Sequence, residues 1–321
     1  MLELVNLSNA AFDTESLLHG KNAYLEKLLQ KHGLDGIEMM FCEPWDKALH
    51  LPKWIKGVHL RFWSSWMDFW REDNSALLAE FGSIEKISEQ YGALQPKDWL
   101  EAWRRNVRQA AVSDAAYVVF HVAQARTNEL YTRRFTYSTR EVIEATAEVV
   151  NEFVDIIPKD CWLLFENLWW PGLTLQKSDE AVLLLSKVRH KKSGFMLDTG
   201  HMMNTNLALK TENEGIDYIL ATVDKLGDLK NLIKGVHLHQ SLSGAFVKQT
   251  MQYKEVPYVM RWQELMDYII KVDQHQPFHS ERAGEIIDFI KPEFLVHEFI
   301  QDSYADWDNK ICKQRQSLGW E

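Results

Sequence analysis

Short apolar runs alternate with longer stretches of helical period along this chain. The runs at 2–7, 36–41, 55–62, 117–123, 162–167, 194–198, 233–239 and 294–299 read as eight strands. The stretches at 16–32, 99–112, 139–157, 179–188, 216–232 and 262–272 carry apolar residues at i, i+3, i+4 and i+7, the mark of an amphipathic helix. Regular strand–helix alternation predicts parallel strands joined by crossover helices. Eight such units favour a closed (β/α)8 barrel over an open doubly wound sheet. No GxGxxG follows any strand, which weakens a dinucleotide-binding fold. With no linker and no low-complexity segment, residues 1–321 are expected to form one barrel domain.

One stretch does not fit the alternation. Residues from about 61 to 97 exceed what a barrel loop needs, and they open with the aromatic run FWSSWMDFW. We read this as an insertion after the third strand. It is either surface helix packed on the barrel or an aromatic lid in which Trp63 and Trp66 line a substrate pocket. A second feature is a repeat: IleLysGlyValHisLeu occurs at 55–60 and again at 233–238. These are strands three and seven, so His59 and His237 sit in equivalent settings.

Composition narrows the function. The formal net charge is −10, so nucleic acid is not an expected partner without a local basic patch. Cys42, Cys161 and Cys312 form no CxxC pair and suit a reducing, cytoplasmic setting. No basic start with a long apolar run marks a signal peptide, and no run of 18 apolar residues marks a membrane span. The 13 tryptophans leave open an oligomer interface in the insertion.

Barrel enzymes carry their chemistry at the C-terminal strand ends. Here those ends deliver Glu38, His59, His121, Glu166 with Asn167, Asp198 with His201 one turn on, His237 and His239, and Glu298. A lone strand-end histidine is usually structural. Several carboxylates converging with histidines would repel one another without a cation, and mixed oxygen and imidazole donors suit Mn²⁺, Zn²⁺, Co²⁺ or Mg²⁺. His297 points outward by alternation and reads as structural. Asp273, His275 and His279 fall in AspGlnHisGlnProPheHis, which reads as a solvated loop.

At PheGluAsn (165–167), LeuAspThrGlyHis (197–201), GlyValHisLeuHis (235–239) and ValHisGluPhe (296–299) the chain resembles the xylose isomerase-like superfamily. That group holds sugar isomerases and epimerases, related dehydratases, and endonuclease IV. The resemblance implies a divalent metal on Glu166, Asp198, His237 and Glu298. It implies that His201 contacts substrate or a further metal. His59 and His121 match the positions that hold a second metal in the endonuclease branch, and His239 is a ligand or a hydrogen-bond donor. One departure stands out. The endonuclease branch has an AspxHis pair shortly after strand seven, where this chain reads SerLeuSerGlyAlaPheValLys.

The expected function is therefore isomerisation or epimerisation of a sugar or polyol, phosphorylated or free. Glu166 and Glu298 would move the proton, His201 would stabilise the neighbouring oxygen, and Glu38 and Asn167 would line the pocket. The alternatives are a metal-dependent phosphodiesterase resembling endonuclease IV, a dehydratase on the same metal site, and a barrel that only binds.

Overall fold

The computed structural model describes residues 1–251 and 262–320. Eight parallel strands close into a barrel in sequence order: β1 (Leu2–Ser8), β2 (Gly36–Met40), β3 (Ile55–His59), β4 (Tyr117–His121), β5 (Trp162–Glu166), β6 (Ser193–Asp198), β7 (Ile233–Leu238) and β8 (Phe294–His297). β1 pairs β8 to shut the ring. This is the (β/α)8 TIM barrel that the alternation predicts. No helix among the described residues is long and apolar enough to cross a membrane.

Each strand splits its residues between two cores, because successive side chains point to opposite faces. Leu4, Tyr117, Val119, Leu164, Met196, Phe294 and Val296 fill the barrel interior. The alternate positions, among them Val5, Ile37, Val58, Val118, Leu163, Phe195, Val236 and Leu295, pack outward under the helices. The same alternation carries the inward rows on to His121, Glu166, Asp198, His237 and Glu298 at the barrel's C-terminal end.

The repeated glycine makes room in the lower layer. A Cβ on Gly57 would lie 2.1 Å from the Tyr117 ring, and one on Gly235 would lie 2.5 Å from the end of Met196. So each IleLysGlyValHis strand leaves a gap, filled by its neighbour's large side chain, two positions below its histidine.

The helices differ from the sequence reading mainly at their ends. The stretch expected at 16–32 is a π-helical turn (Phe12–Leu17) and a helix (Asn22–His32), broken at Gly20, whose φ is +64°. The helix expected at 99–112 runs from Pro96 to Ser113, with proline in its first turn.

The insertion forms three short helices, Met67–Trp70, Asn74–Phe81 and Ile84–Tyr91. Trp63 and Trp66 are buried among other aromatic side chains, which favours the packing reading over the lid. Trp63 packs edge-on against Trp99 and Trp103 at 5.3 and 5.4 Å, and Trp66 stacks near Trp99 at 6.3 Å. The Trp63 indole N–H donates to the Gln90 carbonyl and that of Trp66 to the Ala123 carbonyl. A buried indole needs such a partner, and these backbone acceptors lie in the packing layer. From the aromatic run, Phe62 instead meets the site, 4.5 Å from the His121 ring.

An ion pair locks the insertion to the loop after β4. Arg126 donates to both oxygens of the fully buried Asp68 at 2.7 and 2.8 Å, and the Tyr137 hydroxyl donates to the same carboxylate at 2.5 Å.

Candidate metal centre

Glu166, Asp198, His237 and Glu298 come from β5, β6, β7 and the residue after β8, and each offers one ligand atom within 4.8 Å of the others. Three of their atoms, Glu166 Oε1, His237 Nδ1 and Glu298 Oε2, are buried without a hydrogen-bond partner. His237 Nδ1 lies 3.2 Å from Glu298, 3.5 Å from Glu166 and 3.9 Å from Asp198. Unsatisfied buried donors and acceptors facing one another at such range are costly, and a cation among them removes that cost. The donor set fits a divalent metal.

A second group joins the first through Glu166. His59, His121 and Glu166 also place ligand atoms within 4.8 Å. His59 Nε2 lies 3.1 Å from Glu166 Oε2, and His121 Nε2 lies 3.1 Å from Oε1. His59 Nδ1 is 3.0 Å from its own neighbour's carbonyl, Leu60 O, so that nitrogen donates there and Nε2 is the one turned toward Glu166.

The third group is the one the sequence reading does not find. His201, His239, Asp273 and His275 converge within the same 4.8 Å limit. His201 Nε2 and His275 Nε2 lie 3.1 and 2.8 Å from Asp273 Oδ2. The rings of His239 and His275 stack at 4.0 Å. Asp273 and His275 thus leave the solvated loop expected for them. The cause is backbone pairing: Gln240, just past β7, and Gln276 exchange two hydrogen bonds of 2.8 and 3.2 Å. Gln274 reinforces this by donating its N–H to Ser241 and accepting from Leu242 N. His275 is held at φ +45°, a left-handed geometry uncommon outside glycine. His279 alone stays exposed, beside Glu212 at 3.0 Å. An Asp-x-His pair therefore does follow strand seven, at Asp273 and His275, farther along the connection to β8 than the sequence reading looked for it.

Other expected site residues are struts. Asn167 donates to the Asp198 carbonyl at 3.0 Å and accepts from Asp198 N at 2.9 Å, fully buried, so it braces β5 against β6 and does not line a pocket. Glu38 is also buried, bonded to His237 and Tyr117. His201 Nδ1 is fixed by the Asn167 carbonyl at 2.9 Å, which leaves Nε2 for the third group. His239 Nε2 lies 2.8 Å from Asp198 Oδ2. His297 faces outward, between Glu3 and Gln314, as alternation predicts.

The electrostatics mark a buried cluster of strongly interacting carboxyls and imidazoles. Burial pushes the carboxyls of Asp198 and Glu298 up. Burial acts on Glu166 in the same direction, but the imidazoles of His121 and His237 outweigh it and hold that carboxyl well below its usual range. Burial opposes charge on His201 and His237 too, yet the surrounding carboxylates drive both well above the ordinary histidine value. These groups bind one another's charge where a cation is the natural counter-ion. The site is only slightly open to solvent: at its rim the side chains of His121, Glu298 and His275 are 11%, 12% and 13% exposed. Aromatic walls flank it, with Phe62 against His121 and Trp169 5.1 Å from His201.

Comparison with known proteins agrees with this architecture. A structure titled a D-tagatose 3-epimerase-like protein superposes with a TM-score of 0.55 at 16% identity, covering 99% of this chain and 97% of its own. Endonuclease IV from Thermus thermophilus gives 0.53 at 12% identity, with 99% of both chains covered. An IOLI protein with a bound zinc atom gives 0.52 at 14%, covering 99% and 96%. At such identities the likeness is one of fold. A search of curated proteins by sequence gives no significant match. The profile of the xylose isomerase-like TIM barrels matches residues 26–298, most of the chain, and this chain belongs to that family.

Proposed function

We propose that this chain is a multi-metal hydrolase that cleaves a small phosphoester. The observation that carries the reading is the third donor group, His201, Asp273 and His275 with His239, which lies against the other two. An epimerase needs one cation to polarise a carbonyl. Of the four donor groups among the described residues, the three set out above, two of them sharing Glu166, suit a reaction in which charge builds on several phosphoryl oxygens at once.

Divalent ions held by these residues would supply Lewis acidity toward phosphoryl oxygen and acidify water at neutral pH. The chain's own part is orientation and proton movement. Glu166 turns one oxygen toward His59 and the other toward His121, His201 and His237, so it ties the groups together. Glu298 sits at the rim with Oε2 unpartnered, placed to accept the proton of an attacking water. Water adds to phosphorus, the P–O ester bond breaks, and the alcohol leaves with a proton. The net charge of −10 and the slight exposure of the donor side chains favour a small ester over a duplex nucleic acid.

A second reading, sugar isomerisation or epimerisation, rests on Glu166 and Glu298 facing each other across one donor group from β5 and the end of β8. One experiment separates the two. Chelator-stripped protein reloaded with Mn²⁺ or Zn²⁺ is assayed on bis(4-nitrophenyl) phosphate, and on a free ketohexose in D₂O. Ester hydrolysis without deuterium entering the sugar supports the hydrolase. Deuterium exchange at the sugar carbon without hydrolysis overturns it.

A further inference from the structure

We propose that Glu38, itself held by Tyr117, is a positioning residue that keeps the proton of His237 on Nε2 and presents Nδ1 to the ion site of Glu166, Asp198 and Glu298. This rests on the metal reading of that site.

Both oxygens of Glu38 lie 3.0 Å from His237 Nε2, and the Tyr117 hydroxyl donates to Oε2 at 2.7 Å. All three side chains are buried on the barrel axis. An imidazole has two nitrogens, and the one bonded to a carboxylate carries the proton. The other is then the free donor to a metal, and here it is the unpartnered Nδ1. Tyr117 reaches this place only because Gly57 has no side chain to meet it.

The repeat makes the assignment specific. His59 and His237 take the fifth place of the same six-residue sequence, yet they offer different nitrogens. His59 Nδ1 is bonded to the carbonyl of the next residue, Leu60, so Nε2 is the nitrogen it turns toward Glu166. His237 has the opposite arrangement, and its Nε2 partner is Glu38. Glu38 could instead belong to a separate ligand group with His59, His237 and Glu298. The hydrogen bonding argues otherwise. Glu38 is satisfied by His237 and Tyr117, and none of its atoms is among the unpartnered ones.

The test uses the whole chain, stripped of metal and titrated with Co²⁺, with visible absorption reporting each site. Melting of the stripped proteins monitors the fold. Glu38→Gln should weaken one Co²⁺ site by about 10–100-fold and leave the others unchanged. Tyr117→Phe should weaken the same site less, because Glu38 still bonds His237. A folded Glu38→Gln protein that binds Co²⁺ like the wild type overturns the proposal. So does an equal loss at every site with a lowered melting temperature, which marks a packing role. A reading on the wild type needs no variant: ¹⁵N NMR of the Zn²⁺-loaded protein should show His237 protonated at Nε2, and a proton at Nδ1 refutes the inference. Wild-type protein that binds no ion refutes the metal reading itself.

Discussion

His201 Nε2 lies 3.1 Å from Asp273 Oδ2, across 72 positions of sequence. This contact joins His201, one turn past the end of β6, to a third donor group, and that group favours a hydrolase over an isomerase. Asp273→Asn should remove one ion per chain and leave the other groups loaded. Phosphodiesterase turnover should fall by about 10²-fold or more, the usual size when one transition-state stabiliser is lost. Metal analysis beside the assay checks this; an unchanged ion count would detach Asp273 from the centre.

Removing metal should cost stability as well as activity. Unpartnered Glu166, His237 and Glu298 atoms sit buried together, and a ligand present at 100 times its Kd stabilises the fold by about 2.7 kcal/mol. Melting with and without chelator measures the effect. The expected outcome is a fall in Tm that Mn²⁺ or Zn²⁺ reverses and K⁺ does not. A Tm indifferent to chelator argues that no ion occupies the barrel mouth.

The insertion tryptophans should matter for folding and little for substrate. Trp63 and Trp66 are each 4% exposed and packed on Trp99. Trp63→Ala or Trp66→Ala should destabilise by about 3–5 kcal/mol, from lost burial and the cavity left behind. KM should change by less than about twofold, since neither ring touches the donor residues. Urea melts and kinetics decide between packing and lid, and a raised KM with wild-type stability would restore the lid.

His50 supplies a pH dependence away from the centre. It is 1% exposed, and neither ring nitrogen has a hydrogen-bond partner. Burial pushes its pKa below the ordinary value, despite Asp46 nearby. The unfolded chain therefore takes up a proton, near pH 6.5, before the folded one does. The His50 contribution is complete above that pH and is lost as pH falls below it. His50→Leu should flatten this part of the stability–pH curve; a curve of unchanged slope between about pH 7 and 5 would assign the acid sensitivity to other groups.

Much of this is legible in the sequence, and the reason is local. Strand alternation places Glu166, Asp198, His237 and Glu298 on inward rows, so their convergence follows from closing the barrel. His59 and His121 follow by the same rule. Asp273 and His275 do not, because no strand carries them. Two backbone hydrogen bonds between Gln240 and Gln276 bring them in, and long-range pairing of a loop leaves no periodic trace. The spacing Asp-x-His after a helical stretch is the available signal. Trp63 and Trp66 mislead for another reason: aromatic residues beside a site look alike in sequence whether they face substrate or a neighbouring helix. Only the indole acceptors, Gln90 and Ala123, tell them apart.

The central claim is that three ions share this barrel mouth. Anomalous diffraction from crystals of the metal-loaded protein tests it most directly. The account predicts three peaks: one among His59, His121 and Glu166, one among Glu166, Asp198, His237 and Glu298, and one among His201, Asp273 and His275. A single peak at the second of these, with the other two groups empty at saturating metal, would contradict it and return the chain to one-metal sugar chemistry.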